Sequence, residues 1–146
     1  MGFLDALRAS ASGLSAQRVR MKLIAGNLAN VNTTRTPEGG PYQRREPIFS
    51  AASPRADSFQ DILNARQQGE VVEVQTVGVV KDGRDPIMKY EPDHPDADEN
   101  GFVAMPNISV TEEMVNLVSA SRSYEANIAA VKATKNMVLK ALEIGR

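Results

Sequence analysis

The 146-residue chain contains no cysteine, no tryptophan and a single histidine, and only 5% of its residues are aromatic. Because cysteine is absent, disulfides and thiolate metal sites are excluded. With His94 as its one histidine, the chain cannot form a histidine-pair metal site or a two-histidine catalytic mechanism. Apolar residues make up an ordinary 42%, but the shortage of aromatic bulk argues against a deep, wide hydrophobic core.

The chain also lacks a strong net charge, a secretory leader and a long apolar run. Its net charge is −1, which gives it no overall attraction for nucleic acid or for a membrane surface. The charge is uneven, with +3 on residues 1–31, −5 on residues 32–109 and +1 on residues 110–146. The N-terminal sequence does not show a basic segment followed by a continuous apolar run and a small-residue cleavage site. No apolar stretch reaches the length of a membrane span. Taken alone, these features favour a cytoplasmic protein.

Residues 3–31 contain no proline and have apolar side chains at helical spacing. One row recurs every seven residues and consists of Leu7, Leu14, Met21 and Leu28. A second row lies three positions earlier and consists of Leu4, Ala11, Arg18 and Ala25. This heptad pattern is typical of a helix that pairs along a narrow seam.

The C-terminal segment repeats the heptad pattern. One row consists of Val110, Leu117, Tyr124, Val131 and Val138. The other consists of Met114, Ser121, Ile128, Lys135 and Leu142. Ser109 and Glu112 form a capping box that marks the start of a helix, and Gly145 lies where a helix often stops, so we predict about 34 helical residues. Two amphipathic helices of an ordinary bundle remain the alternative.

The sequence between the helices predicts a small β-rich insertion with long loops. Residues 36–41 form a proline- and glycine-rich turn, and residues 42–49 are extended with Pro47 favouring an edge position. Residues 71–80 are the clearest strand because valine and threonine dominate them, and residues 87–90 are a shorter strand. Residues 91–107 are predicted to be loop.

One local motif resembles a calcium loop. Residues 96–101 place Asp, Asp, Asn and Gly at the first, third, fifth and sixth positions of an EF-hand, but the closing twelfth position is Asn107. A turn built from Asx side chains explains the same residues. A calcium-binding adaptor with a coiled coil is therefore kept as an alternative function.

Other candidate chemistry is weaker. An enzyme would require a second catalytic group near His94, which the sequence does not supply. Arg44 and Arg45 could contact an anion, but two bases beside Glu46 are more often part of a solvated strand. We predict no cofactor, no metal and no catalytic residue.

Three asparagines, Asn27, Asn30 and Asn32, lie within six positions at the end of the first predicted helix. Asparagine is unfavourable inside helices because its amide competes for backbone hydrogen bonds. The cluster therefore marks either an ordinary frayed end or a set of side chains that bind a neighbouring backbone, and both interpretations remain open.

Two segments resemble signatures of flagellar rod and hook proteins: residues 24–34, IAGNLANVNTT, and residues 113–127, EMVNLVSASRSYEAN. Two more narrow the resemblance to the proximal-rod (FlgC) family: residues 35–42, RTPEGGPY, and residues 90–107, which begin YEPDHPDA. The likeness covers nearly all of the chain except about residues 50–70.

The resemblance implies a non-catalytic structural subunit of the proximal rod of the bacterial flagellar basal body. Such subunits are exported unprocessed by the flagellar type III apparatus, so the expected location is the rod that crosses the periplasm. They stack helically, with both terminal helices in the inner wall and the middle facing outward, and they transmit motor torque. The implied partners are the chain itself, other rod proteins, the membrane-ring or rod-base proteins and, in transit, the export apparatus, without nucleic acid or membrane insertion.

The resemblance also leads to the predicted fold: a mainly α chain whose long terminal helices form an antiparallel coiled-coil-like pair, with a small β-rich insertion. The predicted regions are 1–34, 35–108 and 109–146. The predicted register pairs Leu7 with Val138, Leu14 with Val131, Met21 with Tyr124 and Leu28 with Leu117, and brings Arg18 near Glu125. The predicted helix-pair or subunit interface consists of Leu7, Leu14, Met21, Leu28, Asn27, Asn30, Asn32, Met114, Leu117, Tyr124, Ile128, Val131, Val138 and Leu142. A lone helical hairpin of this size is marginally stable, so we expect the helices to be partly disordered before assembly.

Overall fold

A computed structural model describes residues 3–52 and 72–144, which form two long helices with four short strands between them. The elements are α1 (Phe3–Ala29), β1 (Arg45–Ala52), β2 (Glu73–Lys81), β3 (Ile87–Tyr90), β4 (Phe102–Met105) and α2 (Val110–Ile144). β1 pairs with β2 and β3 pairs with β4, giving two separate two-stranded sheets. The prediction of a mainly α chain with a small β insertion between terminal helices is confirmed.

Helix α1 ends at Ala29, two residues before the predicted end. The backbone N–H of Asn30 is shared between the carbonyls of Gly26 (3.1 Å) and Asn27 (3.2 Å), and the N–H of Val31 reaches back only three residues, to Leu28. The Asn30 side chain also donates to the Gly26 carbonyl at 2.9 Å. This competition between an asparagine amide and the helical backbone tightens the last turn and ends the helix.

Helix α2 begins at Val110 and has 35 residues, close to the predicted length. Ser109 is its N-cap, because its hydroxyl accepts the backbone N–H of Glu112 at 3.4 Å and its carbonyl accepts that of Glu113 at 3.0 Å. Gly145, the predicted stop, lies outside the described residues.

Strand β4 is a part of the fold that the sequence pattern did not predict. It pairs antiparallel with β3, with Tyr90 opposite Phe102, and their rings meet edge to face at 5.4 Å. The turn before it is held by the Asp98 carboxylate, which accepts the backbone N–H groups of Asn100 (2.9 Å) and Phe102 (2.8 Å). Gly101 completes the turn with a φ of 80° that favours glycine. The prediction of continuous loop was therefore wrong for residues 102–105.

The chain divides into two compact units, each built from separate stretches of sequence. The terminal unit comprises Met1–Val19, Phe49–Val77 and Ala120–Arg146, and the central unit comprises Arg20–Ile48 and Gly78–Ser119. Among the described residues, the buried apolar side chains of the terminal unit are two alanines, Ala16 and Ala120. Those of the central unit are larger and are Ile24, Val103 and Ile108. The central unit therefore has the more substantial core.

Large apolar side chains remain exposed along both helices and on the strands. They include Leu4 on α1, Val77 on β2, and Met114, Met137 and Leu142 on α2. Neither described helix is long and apolar enough to cross a membrane. Exposed apolar side chains in such number are typical of surfaces that other proteins cover.

Candidate functional site

The most highly organised cluster of polar side chains lies in the central unit around Asn27. This residue is in the last turns of α1 and is 1% exposed. Its amide nitrogen donates to the carbonyl of Arg45 and to a carboxylate oxygen of Glu113, both at 3.0 Å. Its amide oxygen accepts the backbone N–H of Arg45 at 2.9 Å and the hydroxyl of Tyr42 at 3.2 Å. The buried amide therefore uses both its donors and both its acceptor sites.

Glu113 brings the first turn of α2 into the same cluster. Its side chain is 1% exposed, and its second oxygen accepts hydrogen bonds from Nε (2.8 Å) and a terminal nitrogen (2.6 Å) of Arg44. Arg44 therefore forms a two-point contact with a carboxylate that also binds Asn27, an arrangement that combines charge with defined geometry. We call this cluster the polar node, and it consists of Asn27, Tyr42, Arg44, Arg45 and Glu113.

Arg44 is held by two carboxylates. Its side chain is 13% exposed and pairs with Glu46 as well as with Glu113. Burial disfavours its charge, but the hydrogen bonds to Glu46 and Glu113 outweigh burial and raise the pKa of the guanidinium above its ordinary value. The interpretation of Arg44 as part of a solvated strand was therefore wrong.

Tyr42 and Arg45 close the other side of the polar node. The Arg45 guanidinium lies over the Tyr42 ring, 5.5 Å from its centre, in a cation–π contact. Its Nε is buried without a hydrogen-bond partner, so the contact with the ring partly replaces a conventional bond. Both backbone groups of Arg45 bind the Asn27 amide, which fixes the start of β1 at the end of α1.

The three asparagines of the predicted cluster have different roles. Asn27 binds neighbouring backbone, as one of the two interpretations proposed. Asn30 binds locally, to the Gly26 carbonyl and to the Thr33 hydroxyl, and so belongs to the helix end. Asn32 is exposed. The sequence therefore indicated the correct region. It did not show that Asn27, rather than Asn30 or Asn32, is the residue that joins α1 to other elements.

The predicted seam residues vary in exposure along both helices. Those that are half-buried are Leu7, Leu14, Met21, Leu28, Leu117, Tyr124, Ile128, Val131 and Val138. Met114 is 57% exposed and Leu142 is 65% exposed. Arg18 and Glu125, predicted to lie close together, are both exposed and form no ion pair within the described part of the chain. Their assignment as a helix-pair or subunit interface stays a prediction.

In the terminal unit the two helices approach each other at Gly13. A β-carbon placed on Gly13 would lie 3.1 Å from the amide nitrogen of Asn127. The same stretch of α1 contacts a strand, because the Ser12 hydroxyl accepts the backbone N–H of Val74 at 3.0 Å. A glycine here allows close contact between the helices without displacing the asparagine side chain.

The loop that resembles an EF-hand is built as a turn. Asp98 accepts two backbone N–H groups, Asp96 accepts the Thr34 hydroxyl at 2.7 Å, and the imidazole of His94 accepts the backbone N–H of Asp96 at 3.1 Å. Within residues 3–52 and 72–144, no group of three acidic, histidine or cysteine side chains could hold a metal ion. The Asp98 carboxylate is engaged in local hydrogen bonds that define the loop, and the Asp96 carboxylate ties the loop to Thr34, 62 residues away in the sequence.

Sequence reasoning missed Tyr42, Arg44, Arg45 and Glu113 as members of a site. One usable signal was present: Glu113 falls on the face of α2 that also carries Leu117 and Ala120, where a carboxylate needs a partner when it is buried. That signal does not identify the partners of Glu113, because Arg44 and Asn27 lie 69 and 86 residues away from it in the sequence.

Both ends of the chain match family models of flagellar proteins. The model described as "Flagella basal body rod protein" matches residues 7–35. The model described as "Flagellar basal body rod FlgEFG protein C-terminal" matches residues 99–144. The first match includes Asn27 and the second includes Glu113, so each matched region supplies one side of the polar node.

The chain is similar over its whole length to curated flagellar basal-body rod proteins named FlgC. It is 43% identical to that of Bacillus subtilis (strain 168) over 153 residues, covering 100% of both chains. It is 40% identical to that of Borreliella burgdorferi over 156 residues, covering 99% of this chain and 98% of the relative. It is 36% identical to that of Salmonella typhimurium over 146 residues, covering 100% of both.

Proposed function

The chain belongs to the FlgC family of flagellar basal-body rod proteins, and on that premise we propose that it forms part of the proximal rod and transmits motor torque. As a member of this family it is a structural, non-catalytic subunit of the flagellar basal-body rod. The proposal adds the position in the rod, the helical mode of assembly and the mechanical role. Its partners are further copies of the chain, other rod proteins and the membrane-ring or rod-base proteins.

The observation that carries this proposal is the exposure of large apolar side chains on the two helices. Met114, Val115 and Val118 are exposed on α2, and so are Met137 and Leu142 further along it. Burial of such side chains is worth roughly 1.5–3 kcal/mol each, so leaving them in water forgoes much of the available stabilisation. Packing against neighbouring subunits in a helical stack recovers it, because a repeated head-to-tail contact covers every copy in the same way.

An antiparallel pairing of α1 and α2 is part of the proposal. In the terminal unit Gly13 lies beside Asn127, and in the central unit Asn27 binds Glu113. Asn27 lies fourteen residues after Gly13 on α1, whereas its partner Glu113 lies fourteen residues before Asn127 on α2. This order of contacts supports opposite helix directions. Packed antiparallel helices resist bending, which suits a shaft under torque.

These two contacts suggest a register shifted from the predicted one. With Gly13 beside Asn127, Leu14 lies nearest to residue 126, whereas the heptad rows paired it with Val131. The difference of five residues is about 1.4 helical turns. We therefore revise the proposed register toward the observed contacts and retain the same half-buried rows as the helix-pair surface.

Export and location complete the proposal. We propose that the chain reaches the periplasm-spanning rod through the flagellar type III apparatus without cleavage of a leader. Partly disordered helices in the free subunit would suit passage through a narrow channel. Intact-mass measurement on chain recovered from purified basal bodies tests this step, because a cleaved leader would lower the mass.

Substitution of one exposed apolar residue on α2 tests the assembly surface. Met114→Asp is expected to leave the helicity and melting temperature of the purified chain unchanged but to abolish swimming and rod formation in cells. The matched control is Asn136→Asp, which adds the same charge at an exposed polar position of the same helix and should preserve swimming. Normal rods in the Met114→Asp strain would contradict the proposed surface.

A further inference from the structure

We propose that the polar node fixes the register in which α1, β1 and α2 meet, and that it contributes more to this specificity than to net stability. The node joins segments far apart in the chain, since Asn27 is 18 residues from Arg45 and 86 residues from Glu113. Each helix contributes one buried polar side chain. The first residue of β1, Arg45, contributes its backbone N–H and carbonyl, and Arg44, immediately before the strand, contributes its guanidinium. Three elements therefore meet at one set of directional bonds.

The saturation of the Asn27 amide is what makes the node selective. Both donors and both acceptor sites are used at 2.9–3.2 Å, by three different residues. A slip of α2 by one turn that places Leu117 at the position of Glu113 would leave a buried amide N–H without an acceptor. Leaving a buried polar group unpaired is costly, so slipped arrangements are disfavoured even when apolar contacts are equally good.

The same bonds contribute little net stability. Removing Arg44 and Glu113 from water carries a desolvation penalty that offsets most of their attraction. Buried ionic groups can often be replaced by well-packed apolar residues without loss of stability, and a single buried asparagine can fix the register of paired helices at some cost in stability. The polar node contains both a buried ionic pair, Arg44 with Glu113, and a buried asparagine, Asn27.

The rest of the helix contact carries little register information. In the terminal unit the buried apolar side chains among the described residues are Ala16 and Ala120, and the close approach is at Gly13. Contacts between small side chains are non-directional and tolerate sliding. In the central unit, by contrast, the bond between the Asn27 amide and the Glu113 carboxylate is directional and holds α1 and α2 at one register.

The consequence for assembly rests on the proposed function. In a helical stack every copy must present its outer face at the same angle, so a slipped helix pair would misplace the exposed residues of α2. The register itself belongs to the single chain and can be measured without any flagellum.

Disulfide trapping in the purified full-length chain measures the register. The chain contains no cysteine, so each introduced pair is the only one present. The reporter pair is Ile24→Cys with Leu117→Cys, which on the proposed antiparallel pairing lies one turn from Asn27 and Glu113 within the central unit, and the shifted pair is Leu28→Cys with Leu117→Cys, one turn further along α1. With the polar node intact, we expect the disulfide of the reporter pair to form about tenfold or more faster than that of the shifted pair. This ratio corresponds to the loss of about one buried hydrogen bond.

The decisive variant replaces the polar groups with apolar ones of similar size: Asn27→Leu, Arg44→Met and Glu113→Leu together. We expect it to keep its helicity and to melt somewhat below the parent, because the backbone groups of Arg45 lose the Asn27 amide, while the preference for the reporter pair falls to within about twofold. A triple variant that keeps the parental preference would overturn the proposal.

Two nearly isosteric variants decide the question if the triple variant does not fold. Glu113→Gln keeps one oxygen for the Asn27 amide and turns its NH2 group toward Arg44, which retains Glu46, so this variant should lose only part of the preference for the reporter pair. Asn27→Asp removes both donors and places a carboxylate beside Glu113, so its preference should fall to within about twofold. Equal preferences in these two variants would overturn the proposal, because both keep the shape of the original side chain and only Asn27→Asp removes the two donors of the Asn27 amide.

Discussion

The central and terminal units of this chain bury different kinds of side chain. The central unit buries Asn27 and Glu113 together with Ile24, Val103 and Ile108. Among described residues, the terminal unit buries two alanines and leaves Leu4, Met137 and Leu142 exposed on its helices. Both units expose large apolar side chains, but only the central unit, among the described residues, combines them with a cluster of buried directional contacts. The difference indicates that buried polar contacts specify the geometry of one region, while exposed apolar side chains for contact with neighbours occur in both.

Removal of the buried carboxylate should have the largest effect on the free chain. Glu113→Ala leaves Arg44 with only Glu46 and leaves the Asn27 amide short of an acceptor. We expect a loss of about 3 kcal/mol in the free energy of unfolding, measured by urea denaturation. The control is Glu112→Ala, an exposed neighbour that should cost less than about 0.5 kcal/mol. Equal costs for the two variants would mean that the buried carboxylate contributes no more to stability than an exposed one, and would remove the special role of the polar node.

Truncation of the central amide should rank second. Asn27→Ala deletes four hydrogen bonds and leaves buried groups of Arg45 and Glu113 unpaired, for an expected cost of about 2 kcal/mol. Asn32→Ala, an exposed member of the same asparagine cluster, is the matched control and should be nearly neutral. A cost at Asn32 equal to that at Asn27 would mean that the cluster acts through the helix end alone.

These two sites also indicate how far sequence reasoning reached. The start of α2 was predictable because its N-cap is a local signal from Ser109, and the helical nature of both ends followed from the heptad rows. Strand β4 was not predictable, because proline, aspartate and glycine surround it and its partner β3 is four residues long. The node was not predictable, because its members come from three segments that only the tertiary structure brings together.

In the terminal unit a small change should be tolerated. Gly13→Ala gains helix propensity, and the new β-carbon meets only the end of the Asn127 side chain, which can rotate away. We expect a stabilisation of about 0.5 kcal/mol, rising toward about 1 kcal/mol in an Asn127→Ala background where the contact is absent. Thermal melts of the four chains measure both values. A large destabilisation by alanine would indicate rigid packing like that of the central unit.

The smallest effect is expected at the exposed Glu38–Lys81 pair. The Lys81 ammonium lowers the pKa of Glu38 by hydrogen bonding and by its charge. A lowered pKa in the folded state stabilises the chain above the unfolded pKa, and this stabilisation is lost as the pH falls through the folded pKa. Because both side chains are exposed, water screens the pair, and Lys81→Met should leave the acid unfolding midpoint nearly unchanged. A clear shift of the midpoint would show that surface charge contributes to the stability of the central unit.

Hydrogen exchange on the dilute, unassembled chain tests most directly the claim that the polar node holds the start of α2 in place without partners, whereas the far end of α2 depends on them. We expect slow exchange at the Arg45 amide and through residues 113–120 of α2, and fast exchange through residues 135–143 of the same helix. Equal protection along the whole of α2 would contradict it, because the exposed end would then be stable without any partner.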